Sequence, residues 1–83
     1  MQEHDLNIAI GNNPIWTVQV ETKEWPSPET ATPEIITGQL LGLTPSELLR
    51  LKIADIIVVI ESHSYRLEYL SKDGTFELHW IHS

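Results

Sequence analysis

The sequence predicts a small α+β domain: an antiparallel sheet of about five strands with one or two short helices, in the order β-β-α-(α)-β-β-β. Three observations predict it. Residues 65–82 alternate apolar and polar on two arms around Ser71-Lys72-Asp73-Gly74, the pattern of a hairpin with one buried face. Residues 6–21 show a second alternating pair around Gly11-Asn12-Asn13-Pro14. Between the hairpins, Thr32-Pro33-Glu34 and Thr44-Pro45-Ser46-Glu47 both read as helix starts, with a hydroxyl cap, proline at the first helical position and an acid in the first turn.

Taken in order, residues 1–5 are expected to fray ahead of a first strand over 6–10. A second strand over 15–21 carries Trp16, Val18 and Val20 on one face. A proline-rich loop covers 23–32, and Pro26, Pro28 and the following Pro33 bar a regular interior strand or helix there. Trp25 in this loop either caps the core or is displayed to a partner. A short helix is expected over 33–41, with Ile36 and Leu40 inward and Gly42 as its stop. Gly38 in its middle weakens it by about 1 kcal/mol relative to alanine.

Thr44 and Glu47 match a capping box, which predicts a second helix over 45–53. A competing reading stays open, because Leu49, Leu51 and Ile53 also alternate as a strand would. Residues 56–60 are a continuous β-branched run, predicted to be a central strand covered on both faces. Residues 61–64 turn the chain into the last hairpin. There Tyr65, Leu67 and Tyr69 share one face and Phe76, Leu78 and Trp80 the facing one. These faces coincide only if the loop has an even length. A two-residue Asp73-Gly74 loop of type I′ would pair Glu68 with His79. A four-residue loop would oppose Glu68 to Glu77, two like charges, so the two-residue loop is expected.

The 83 residues make one domain, 1–83, with a modest core. No cysteine is present, so neither a disulfide nor a thiolate metal site can form. Residues 1–5 are acidic and lack the apolar core of a secretory leader. The longest apolar run is far short of the ~20 residues that span a bilayer. A cytoplasmic location is expected. Twelve acids stand against five bases, for a net charge of −7. Such a surface repels phosphate, so nucleic acid and anionic membranes are disfavoured as partners and a basic protein surface is favoured.

Little in the chain points to catalysis. No glycine-flanked nucleophile and no phosphate-cradling loop occurs, and Ser62-His63-Ser64 is adjacency without triad geometry. His79 and His82 fall on opposite faces of a regular strand, so no metal site or cofactor is expected from them. Glu61, Glu68 and Glu77 read as an exposed carboxylate face. Trp16 and Trp80 sit at inward strand positions. Trp25, beside Glu24, is the candidate interface anchor.

A β-hairpin followed by a helix containing Thr37-Gly38-Gln39-Leu40-Leu41-Gly42-Leu43 resembles the opening of β-grasp, ubiquitin-like domains. That likeness implies a modifier role, although His79-Trp80-Ile81-His82-Ser83 carries no terminal glycine for conjugation. Leu49, Leu51, Ile53, Asp55 and Ile57 at alternate positions before a hairpin look like strand pairs of small antitoxins and SH3-like barrels. The residues themselves point to a non-catalytic acidic protein-binding module, an inhibitor, immunity-type or regulatory partner. Trp25, Glu24, Glu61, Glu68 and Glu77 are its candidate contact residues. The alternatives are a ubiquitin-like modifier and a structural subunit, including a homodimer through a sheet edge.

Overall fold

In a computed structural model, which describes residues 2–82, six antiparallel strands coil into a nearly closed barrel with one helix. The strands are β1 (Gln2–Ile8), β2 (Trp16–Thr22), β3 (Ile35–Leu41), β4 (Ile57–Ile60), β5 (His63–Leu70) and β6 (Thr75–Trp80). The helix α1 (Pro45–Ile53) lies between β3 and β4. The sheet runs β1-β2-β3-β6-β5-β4. Its two edges, β1 and β4, come within 8 Å of each other at Cα without forming a ladder. The interior is filled by side chains from every strand, among them Val20, Ile36, Tyr65, Phe76 and Leu78, all fully buried. Among the described residues, no helix is long and apolar enough to cross a membrane.

Compared with the expected α+β domain, the fold is more sheet than helix: the described residues form six strands and a single helix. The first expected helix, 33–41, is the central strand β3, hydrogen-bonded between β2 and β6. Ile35, Ile36 and Thr37 are β-branched and favour a pleated surface. The apparent helix start is used otherwise: the Pro33 carbonyl accepts the Tyr65 hydroxyl at 2.7 Å, and the Glu34 carbonyl accepts the Trp80 amide at 2.8 Å. Gly38 allows β2 to pass closely, since a Cβ there would lie 2.1 Å from the Glu21 carbonyl oxygen. The segment that carried the β-grasp resemblance is therefore strand, in a sheet with no parallel pair among the described residues.

The capping box forms. The Thr44 hydroxyl accepts the Glu47 amide at 3.2 Å, and the Glu47 carboxylate accepts the Thr44 amide at 2.9 Å. Helical spacing then buries Leu48 and Leu51 and leaves Leu49 and Ile53 outside. A strand would have put Leu49, Leu51 and Ile53 on one face, so the barrel-like resemblance built on that alternation fails at those residues.

Three further expectations are corrected. Residues 2–5 are paired along β2, from Gln2 opposite Thr22 onward; Met1 lies outside the described residues. The 56–60 run supplies an edge strand, with Val58 and Ile60 buried but Ile57 and Val59 exposed. The last hairpin closes with an odd loop: Ser71 and Thr75 face each other across Lys72-Asp73-Gly74, with the Ser71 amide donating to the Thr75 carbonyl at 2.8 Å. Gly74 takes φ +96° and its carbonyl accepts the Leu40 amide at 2.8 Å. The Ser71 hydroxyl and the Thr75 amide both donate to the Asp73 carboxylate, and these bonds, with Ser71 the larger cause, hold its pKa below the ordinary value.

The parity that the loop breaks is restored inside β5. Leu67 faces Leu78 and Tyr69 faces Glu77, so Glu68 is an unpaired bulge residue. Glu68 therefore does not pair with His79; Arg66 does. Beyond the bulge Tyr69 turns outward and Leu70 inward, so Tyr69 does not share the buried face of Tyr65.

Candidate protein-binding surface

Antiparallel order gathers residues that are far apart in sequence. The starts of β1, β3 and β5 and the ends of β2, β4 and β6 all lie at one end of the barrel. His4, Trp25, Glu34, Glu61, His63, Trp80 and His82 are carried there. The opposite end is formed by the β1–β2 turn, α1 and the β5–β6 turn.

Three aromatic contacts organise the first end. Trp25 is half-buried and lies on His4, with ring centroids 4.2 Å apart and planes 5° from parallel. His63 meets Trp80 edge-on at 5.2 Å, and His82 packs on the same indole at 4.0 Å. Hydrogen bonds hold both histidines. His63 Nδ1 donates to the Glu61 carbonyl at 2.7 Å, while its Nε2 lies 3.2 Å from Thr32 Oγ1. His82 Nε2 donates to the Glu34 carboxylate at 2.7 Å. Thr32 thereby ties the proline-rich loop to the start of β5, and Glu34 ties the entry to β3 to the C-terminal segment.

Two open grooves result. One, of about 440 Å³, is lined by His4, Lys23, Glu24, Trp25, Thr30 and Pro33. The other, of about 410 Å³, is lined by Ser62, His63, Ser64, Trp80, Ile81 and His82. Glu61 and Ser62 make the tight turn between β4 and β5, both with positive φ, 49° and 69°. Non-glycine residues pay for that conformation.

Charge is distributed unevenly between the two ends. Glu3, Glu21, Glu24, Glu29, Glu34 and Glu61 stand at the tryptophan end or in the loop that crosses it, with Lys23 as the one basic side chain there among the described residues. Elsewhere the remaining six acids face four bases, Arg50, Lys52, Arg66 and Lys72. Most of the net charge of −7 is thus at one end of the barrel. Glu3 and Glu21 even pair directly across β1 and β2, an arrangement that costs stability unless a cation relieves it.

The structure brings together three of the five sequence-derived contact residues. Glu24, Trp25 and Glu61 are at this end. Glu68 is the bulge residue beside α1, and Glu77 lies on the outer sheet face, where His79 Nε2 is 3.0 Å from its carboxylate. Those two belong to other surfaces. Trp80, expected in the core, is only half-buried at the barrel rim, as is Trp16 at the other end. His4, His63, His82 and Glu34 were missed as contributors, because their meeting depends on which strand ends coincide. Among the described residues no three of His, Asp or Glu converge in a metal-binding arrangement. Compared with known proteins, the chain matches no family model, no curated protein and no solved structure.

Proposed function

We propose that this chain is a non-catalytic protein-binding module, an inhibitor, immunity-type or regulatory partner, that engages a basic protein surface through its tryptophan end. One observation carries the reading: six carboxylates and two half-buried indoles share one end of the barrel. Indoles give an interface contact area and can hold a cationic side chain over the ring face. Carboxylates around them steer a basic partner toward the end and discourage acidic ones. The same field repels a phosphate backbone, which disfavours nucleic acid as the occupant.

An NMR titration of the isotope-labelled chain with a lysine- and arginine-rich peptide tests the proposal. The Trp25 and Trp80 indole signals and the amides of 61–64 should shift, and the affinity should fall as salt shortens the reach of surface charge to about 10 Å at 0.1 M. Shifts confined to α1, or no binding at low salt, would sink it.

A further inference from the structure

The outward face of α1 is apolar where a solvent-facing helix would be polar. Leu49 and Ile53 are one turn apart and are 59% and 77% exposed. Lys52 stands beside them, and Lys72 of the β5–β6 turn lines with Leu49 a shallow groove of about 120 Å³. Pro45, Leu48 and Ser71 line the rest of that groove, with no carboxylate among them. Among the described residues, neither lysine is in an ion pair. This face is thus apolar with two lysines free of ion pairs, Glu68 sharing the adjoining groove with both, and it lies at the opposite end of the barrel from the strongly acidic tryptophan end.

From this complementarity we infer that the α1 face, Leu49, Lys52 and Ile53 with Lys72, docks the Trp25/Trp80 end of a second copy of this chain, head to tail. The inference rests on the reading of the acidic end as a binding surface and names a partner for it. Each copy would use two different patches, so the contact is heterologous and builds rings or open chains rather than a two-fold dimer. Two acidic ends repel each other, which disfavours the symmetric alternative there. A dimer through β4 is also disfavoured. Antiparallel pairing of two β4 strands about Val58 would set Asp55 of one copy against Glu61 of the other, and β1 already lies against that edge.

Sedimentation velocity over a range of concentrations and salt, on the full chain, tests the inference. The wild type should self-associate at low salt and dissociate near 1 M, where the screening length is about 3 Å. Lys52→Glu with Lys72→Glu should weaken association by about tenfold or more, as should Glu24→Gln, Glu34→Gln and Glu61→Gln together. Each variant keeps one intact patch, so mixing the two should yield a capped dimer that neither forms alone. Three outcomes would overturn the inference: a monomer under all conditions, association unchanged in the lysine variant, or recruitment of monomers to anionic vesicles by the α1 face. A chain that binds the basic peptide at Trp25 and Trp80 yet stays monomeric would reject self-docking and leave the proposed function standing.

Discussion

The indole of Trp25 lies flat on the imidazole of His4, 4.2 Å between ring centroids, and so fastens the proline-rich loop to the first strand. A stacked pair of this kind contributes roughly 0.5–1.5 kcal/mol beyond its buried area. His4→Ala should therefore lower the melting temperature modestly and shift the Trp25 emission to the red as the ring gains water. The comparison is made in a background where Trp16 and Trp80 are phenylalanine. An unchanged emission maximum would mean that the loop is held by its other contacts.

Glu68 is an extra residue between the paired positions Leu67 and Tyr69. Its deletion should leave every other pairing intact, because Leu67, Tyr69 and Leu70 then alternate in, out, in without interruption. The cost should be small, below about 1–2 kcal/mol. Deleting Arg66, which is regularly paired with His79, should instead turn Leu67 outward and bring the Glu68 carboxylate onto the inner face opposite Leu78, and so cost clearly more than the loss of Glu68. Equal damage from the two deletions in urea melts would refute the bulge assignment.

A methyl group at residue 38 has nowhere to go. It would meet the Glu21 carbonyl oxygen at 2.1 Å and Thr22 Cγ2 at 3.0 Å. Gly38→Ala should destabilise by more than about 3 kcal/mol, since relief requires separating β3 from β2. Thermal unfolding followed by circular dichroism gives the answer, and a loss under about 1 kcal/mol would show that the two strands part easily.

The β4–β5 turn holds two side-chain-bearing residues at positive φ, Glu61 and Ser62. A two-residue turn with both angles positive is best served by Asn-Gly. Glu61→Asn with Ser62→Gly should raise stability by about 1 kcal/mol and, with one acid fewer, weaken binding of the basic peptide. A gain in stability with unaltered affinity would remove Glu61 from the interface.

Tyr65 is buried, and its hydroxyl donates to the Pro33 carbonyl at 2.7 Å. Burial, with the Glu34 carboxylate as the lesser cause, pushes its pKa above the ordinary value near 10. The folded value is therefore the higher one. The stabilising contribution of the neutral phenol is complete below the unfolded value and is lost as pH rises through the folded value. Tyr65→Phe should cost about 1 kcal/mol near neutral pH, and its deficit relative to wild type should shrink above roughly pH 10. Urea melts at about pH 8 and about pH 11 test this; an equal deficit at both would uncouple Tyr65 ionisation from folding.

Local chemistry was legible where local bonds decide the outcome. The Thr44–Glu47 capping box closes within four residues, so the chain pointed to a helix over 45–53, while the alternation of Leu49, Leu51 and Ile53 left a strand open until Leu48 and Leu51 were found buried. The two hairpins were legible for the same reason, through nearest-neighbour pairing and period-two alternation. Where two local signals disagreed, contacts with distant strands arbitrated. Thr32-Pro33-Glu34 could start a helix, but β2 and β6 supply hydrogen bonds on both sides of 35–41, and Gly38 gives them room.

By itself the sequence determined a cysteine-free acidic domain with two hairpins, a capping box that favoured a helix over 45–53, and Trp25 as the one tryptophan offered for contact. Only the tertiary structure decided that β4 is an edge, that Glu68 bulges to repair the register of an odd loop, and that Glu24, Trp25, Glu34, Glu61 and Trp80 share one end. The physical reason is that side-chain periodicity and caps act over a few residues, whereas the order of strands in a sheet is set by packing one common core. Charges that look scattered along 83 residues become a field only when that order places their strand ends together.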